Sequence, residues 1–263
     1  MHKLRMVMQS VSLYDELVFS PISENRIVIS SNEPAIINNN IIEKAYFKLK
    51  ELFPEKVRYG FTVEVTKNIP LGAGLAGGSS NAAATVAALL LFFDIRLSKK
   101  EVIDLNLSIG SDVNFCYYGG TRLVGGIGER LERIDSPYQH FLLVFPHIHV
   151  STKEAFRLWD LQAESYVPRA ESDSALGGLF YNAFEKVLYP MYPELANIKN
   201  ILRKLGAIQA LMTGSGSTVF GVFSNQEECV KASKDKALRG LKVFVVKKKN
   251  QGISILNKQD FTG

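Results

Sequence analysis

The sequence predicts an α+β protein in two domains, and three observations carry that expectation. Apolar residues switch repeatedly between a period of two and a period near 3.6, so strands and helices alternate without internal repeats or low-complexity stretches. The chain has 263 residues, 46% of them hydrophobic and 22% charged, enough to bury one large core or two smaller ones. Gly125, Gly126 and Gly128 cluster between the two halves, where a chain readily changes direction. The expected division is therefore 1–126 and 127–263.

The elements follow in order. Val7 to Phe19 and Arg26 to Ser30 read as strands, and Ile41, Ile42, Ala45, Tyr46 and Leu49 give one face of a helix. Phe61, Val63 and Val65 alternate with Thr62, Glu64 and Thr66, the pattern of a strand with one wet face. Ala82 to Phe93 is apolar except for Thr85, which suits a buried helix and falls far short of the roughly 20 residues that span a bilayer. Ser98 and Glu101 have capping-box spacing for a short helix through Leu107, and Ser151 and Glu154 repeat it before Ala155. Phe141 to Phe145, ended by Pro146, is a buried strand by length and β-propensity. Gln162 to Ser174 reads as an exposed connection. Helices are expected at Asn182–Val187 and Pro193–Leu205, then a strand Thr218–Phe223, a helix from Gln226 and a strand Leu241–Val246.

Composition excludes several classes. A net charge of +5 favours small anions but is too weak for a nucleic-acid partner, and Lys247, Lys248 and Lys249 read as a solvated edge. The two cysteines, Cys116 and Cys229, lie far apart, and no apolar segment with a cleavage site follows Met1-His2-Lys3-Leu4-Arg5. A cytoplasmic protein with no membrane partner is expected, as a monomer or homodimer.

The chemistry concentrates in Pro70, Leu71, Gly72, Ala73, Gly74, Leu75, Ala76, Gly77, Gly78, Ser79 and Ser80, which run directly into the Ala/Leu-rich helix. Such a loop leaves backbone N–H groups and a positive helix end facing an anion, most naturally a nucleotide phosphate. No lysine follows the glycines, so the Walker pattern fails. Gly72, Gly74 and Gly77 satisfy G-x-G-x-x-G with Asp94 downstream, yet the preceding strand is half wet where a dinucleotide fold wants one buried on both faces. A plain connecting turn needs only one or two glycines. A second small-residue loop, Thr213-Gly214-Ser215-Gly216-Ser217-Thr218, is either a tight turn or another wall of the same site. His147 and His149 alternate without the further ligands a metal site needs.

Pro70 to Asn81 resembles the P-x-G-x-G-L-x-G-G-S-S-N loop of the GHMP small-molecule kinases, within them those acting on a CDP-linked methylerythritol of the non-mevalonate isoprenoid pathway. Ile109-Gly110-Ser111-Asp112-Val113-Asn114-Phe115 is similar to that family's G-[AS]-D-V-P-F segment. Leu211 to Phe220 resembles its L-T/M-G-S-G-S-x-x-F motif, and Gln9 to Asp15 the segment after its Gly-Tyr-His. The resemblance implies a fold with a ribosomal protein S5 domain 2-like first domain and a ferredoxin-like second one. It implies ATP as phosphoryl donor, with Mg2+, and transfer to the 2-hydroxyl of the CDP-linked alcohol. Asp112 matches the catalytic aspartate, a role to be weighed against simple helix capping. The residues from Pro70 to Ser80, with Gly214, Ser215 and Gly216, match the ATP site. His2 matches a histidine that hydrogen-bonds cytosine, and the Asn182 to Lys186 region lies where a second aromatic contact to cytosine is expected.

One departure stands out. Family members open with Lys-x-Asn and then Asp-Gly-Tyr-His, whereas these residues open at Met1-His2, inside the second motif. The lysine that would stabilise the transferring phosphoryl is not among them, and Met1 stands where a tyrosine would stack on cytosine. Three readings are therefore expected to compete: an active kinase of this acceptor, a nucleotide-binding protein that transfers phosphate poorly, and a GHMP kinase with another alcohol acceptor.

Overall fold

The computed structural model describes residues 4–37, 40–163 and 181–256. His2 and most of the polar connection at Gln162 to Ser174 lie outside the described residues.

The first half contains β1 (Leu4–Gln9), β2 (Glu16–Ile22), β3 (Ile27–Ser31), α1 (Ile41–Leu52), β4 (Gly60–Thr66), α2 (Gly77–Phe92), α3 (Lys99–Ile109), α4 (Val113–Tyr118), β5 (Thr121–Gly126) and β6 (Arg130–Arg133). Two three-stranded sheets form, ordered β1-β5-β6 and β2-β4-β3. Strand β3 runs parallel to β4, a pairing that needs a crossover, and α1 lies on that crossover. Phe61, Val63 and Val65 of β4 are buried while Thr62, Glu64 and Thr66 are exposed, as the alternation requires. Ile42, Ala45, Tyr46 and Leu49 turn α1 inward, and Ser98 and Glu101 close both bonds of the capping box on α3. These residues share one core with Ala82, Val86 and Leu89 of α2.

The second half contains β7 (His140–Phe145), α5 (Thr152–Ala163), α6 (Phe184–Leu188), α7 (Pro193–Lys204), β8 (Gln209–Met212), β9 (Val219–Phe223), α8 (Gln226–Ser233) and β10 (Lys242–Lys247). Its sheet is antiparallel throughout, ordered β10-β7-β9-β8. Helices α5 to α7 follow the first of these strands and α8 the third, which is the split β-α-β-β-α-β arrangement of a ferredoxin-like domain. Leu142, Val144, Leu195, Leu202 and Val219 build a second core.

Two expectations are corrected. Val7 to Phe19 is not one strand: Ser10 and Ser12 donate their N–H groups to Gly120 O and Lys247 O at 2.9 and 2.8 Å, so the chain leaves β1 before β2 begins. The pattern of residues 10–15 still alternates, but their partners come from three distant segments. The glycines at 125–128 turn a hairpin, with Gly128 N–H on Gly125 O at 3.2 Å, and β6 pairs back as far as Arg122 opposite Arg133. Drawn on strand pairing, the change from one half to the other falls at residues 134–139.

A strap fastens the halves after β10. Lys249 donates its N–H to Ser10 O at 2.8 Å, and Gln9 Nε2 donates to Lys249 O at 3.2 Å. Gly252 then lies so close to α4 that a Cβ there would fall 1.8 Å from Cys116 O, and Ile253 packs on the first core.

Candidate functional site

Between β4 and α2 the backbone enters the left-handed region at Gly72, Gly74 and Ala76, with φ of 63°, 70° and 54°. Ala76 is the N-cap of α2 and its side chain caps nothing. An alanine in that region is strained by about 1–2 kcal/mol, and a cap without a side-chain acceptor leaves the first N–H groups of the helix to other partners. Gly77, Gly78 and Ser79 therefore present a positive helix end with bare amides. Ser80 differs, because its hydroxyl donates to Gly77 O at 2.8 Å within the helix.

Asp112 sits at the start of α4, half-buried. Its side chain does not cap that helix, so the structural role weighed against catalysis does not account for it. Burial pushes its carboxyl above the ordinary aspartate value, and a hydrogen bond from Ser111 opposes that rise in part. Cys116 lies one turn on, the same face of a helix, and its thiol is pushed up by burial and by the Asp112 charge. Cys116 Sγ reaches Ala76 O at 3.9 Å. The face of α4 that carries Asp112 is thus the face turned to the glycine loop.

The second loop closes against the first. Thr213 Oγ1 donates to Gly74 O at 3.1 Å and Thr218 N–H to Ala73 O at 3.2 Å. A Cβ at Gly74 would lie 2.5 Å from Gly216 O and 2.7 Å from Thr213 O, so this contact exists only because residue 74 has no side chain. Ser215, 8% exposed, shares a hydrogen bond with Thr152 at 2.8 Å, and Ser217 donates to Ile148 O. His149 comes to the same place: a Cβ at Gly72 would fall 2.3 Å from its Nδ1. Among the described residues no three His, Cys, Asp or Glu side chains gather as a metal site.

Sequence reasoning missed what lies behind each loop. Asp15 pairs with Lys67, their side chains 1% and 4% exposed. Asp15 Oδ1 accepts the N–H groups of Asn68 and Ile69 at 2.8 and 2.9 Å, and Asn81 bonds Asp15 Oδ2 at 2.9 Å and Lys67 Nζ at 3.2 Å. The entry to the glycine loop and the first turn of α2 are so tied to one buried ion pair. Behind the second loop, Glu185 pairs with Lys199 and accepts Met212 N–H at 2.8 Å. Asn182 donates to Met212 O and Gly214 O at 2.8 Å each. Asp15 and Asn81 close two of the family-like segments and Asn182 and Glu185 lie in the 182–186 region, but nothing in the sequence pairs them with Lys67, Lys199 or Met212.

Comparisons with known proteins give the family of this fold. Residues 40–120 match the family model of the GHMP kinases N terminal domain, and residues 159–234 that of the GHMP kinases C terminal. The 4-diphosphocytidyl-2-C-methyl-D-erythritol kinase of Caldicellulosiruptor saccharolyticus is 36% identical over 256 residues, 93% of this chain and 86% of that protein. The enzyme of the same name from Clostridioides difficile is 34% identical over 267 residues, 97% of this chain and 90% of that protein. A crystal structure of a 4-(cytidine 5'-diphospho)-2C-methyl-D-erythritol kinase superimposes with a TM-score of 0.76 at 26% identity, covering 94% of this chain and 90% of that one.

Proposed function

The chain belongs to the GHMP kinases, within them to the 4-diphosphocytidyl-2-C-methyl-D-erythritol kinases, and on that premise we infer how its residues divide the reaction. It is a small-molecule kinase of the isoprenoid pathway that phosphorylates its acceptor from ATP. The acceptor is the 2-hydroxyl of the CDP-linked methylerythritol. The bare amides of Gly77, Gly78 and Ser79, with the helix end behind them, hold the phosphates of ATP. Pro70 to Ala76 shape the approach, and Gly214 to Gly216 form the opposite wall. Mg2+ would come with ATP as part of the donor and would supply charge neutralisation at the phosphate oxygens.

Asp112 accepts the proton of the acceptor hydroxyl as that oxygen bonds to the γ-phosphorus and the bond to the β-phosphate oxygen breaks, releasing ADP. A positioned base of this kind contributes about 10²–10⁴ in rate. The observation that carries the role is a carboxylate at a helix start that caps nothing, is raised by burial, and lies on the helix face turned to the glycine loop. A carboxyl raised from its ordinary value is a better proton acceptor once ionised. The protein works in the cytoplasm on this small molecule, as a monomer or homodimer; no helix among the described residues is long and apolar enough to cross a membrane.

A coupled assay for ADP release with CDP-linked methylerythritol, homoserine, mevalonate and galactose tests the acceptor. Turnover is expected with the first alone, and a preference for any other alcohol would overturn the assignment.

A further inference from the structure

We propose that Asn182 and Glu185 are positioning residues for phosphoryl transfer, holding the Thr213–Ser217 wall in register with the glycine loop; the proposal rests on the kinase reading above. Strand β8 is an edge of its sheet, and an edge strand has backbone groups with no sheet partner on one side. At Met212, its last residue, Glu185 Oε1 accepts the N–H at 2.8 Å and Asn182 Nδ2 donates to the carbonyl at 2.8 Å. Covering an edge would need no more than that. Asn182 reaches further, to Gly214 O at 2.8 Å within the loop, while its own Oδ1 accepts Phe184 N–H at 3.0 Å and is pinned to the start of α6.

The bond to Gly214 has a directional effect. In a trans peptide the C=O of one residue and the N–H of the next point in opposite directions, so drawing Gly214 O toward Asn182 aims Ser215 N–H away from α6. Ser215 N–H is then presented to the nucleotide rather than left to rotate. Glu185 is itself fixed, since its other oxygen pairs with Lys199 of α7, whose Nζ lies 5.7 Å from the centre of the Tyr189 ring. The loop is thereby held from behind by α6 and α7 and from in front by Gly74 and Ala73. Neither residue needs to touch substrate for its loss to be felt, because a displacement of about 1 Å at a positioned group can cost on the order of a hundredfold.

The test measures ATP binding by calorimetry without acceptor, steady-state kinetics in both substrates, and backbone hydrogen exchange, all on the full chain. Asn182→Ala and Glu185→Ala are expected to weaken ATP binding about tenfold or more, the scale of one lost bond to a buried group. The KM for the acceptor should stay within about twofold, because the loop contacts only the donor side. Exchange should quicken at residues 212–218 and not at 141–145. Glu185→Gln keeps an oxygen for Met212 N–H and should recover most of the ATP affinity. Should Asn182→Ala fail to fold, Asn182→Asp keeps the bond to Phe184 N–H but sets a carboxylate against two carbonyls, and the same loss is expected. Unchanged ATP affinity in the Asn182 variants would overturn the inference alone. A parent protein without ATP affinity would overturn the kinase reading and the inference with it.

Discussion

The glycine loop at Pro70–Ser80 and the loop at Thr213–Ser217 share a composition and touch at Gly74, yet they are built for different tasks. The first ends in a helix whose N-cap side chain makes no capping hydrogen bond, so its donors face outward. In the second, Thr213 N–H, Gly216 N–H and the hydroxyls of Thr213, Ser215 and Ser217 all have partners within the protein. The braces behind them differ as well. Asp15 and Lys67 are almost wholly buried, whereas the Glu185 and Lys199 side chains are each 13% exposed and border an open cleft of about 380 Å³ with Lys186 and Arg203. Small residues serve in one loop to free the backbone and in the other to let two backbones meet.

That contrast can be broken most forcefully at Asp15. Asp15→Ala leaves the Lys67 ammonium buried without its partner and is expected to lower stability by about 3–5 kcal/mol; chemical denaturation showing a loss below about 1 kcal/mol would place the two braces on the same footing. Next, Asp112→Asn is expected to cut transfer at least about a hundredfold with ATP affinity nearly intact, and undiminished turnover in single-turnover experiments would remove Asp112 from the base role. The same variant should melt higher. An aspartate raised by burial costs stability when ionised, above its folded value, and that cost disappears as the pH falls through it.

Gly74→Ala should weaken ATP binding about tenfold or more, since its Cβ meets two backbone oxygens of the other loop. Gly214→Ala, whose Cβ would find only Gly74 O at 3.4 Å, should cost about 1 kcal/mol of backbone strain and little affinity. Equal losses in calorimetry would mean that positive φ, and not contact between the loops, sets the requirement. The acid limb of kcat/KM for the acceptor should lie above the ordinary aspartate range, because the free enzyme must hold Asp112 ionised and burial raises its pKa. Smallest of all, Thr213→Val removes one bond to Gly74 O and should lower stability by about 1 kcal/mol; a thermal melt unchanged from the parent would make that bond incidental.

What the sequence made legible was local. The face of α1, the alternation of β4 and the capping box of α3 each need only neighbours within a few residues, and all three are present. The glycine loop was legible because its composition is costly without a ligand to meet. The braces were not, since Asp15 and Lys67 are 52 residues apart and Glu185 and Met212 are 27 apart, and no period links them. The break at Ser10 and the hairpin at Gly128 failed for the same reason: alternation and glycine content say how a chain bends, and distant partners decide where. Capping and catalysis at Asp112 were indistinguishable locally, because both place an aspartate at a helix start.

The strap after β10 gives the second half a direct hold on the aspartate's helix. Lys249 is bonded to Ser10, and Gly252 is pressed against Cys116, which lies one turn from Asp112 on α4. A shift of β10 within the second half's sheet therefore has a direct route through residues 249–252 to the helix whose start carries the aspartate, and that route runs through neither small-residue loop.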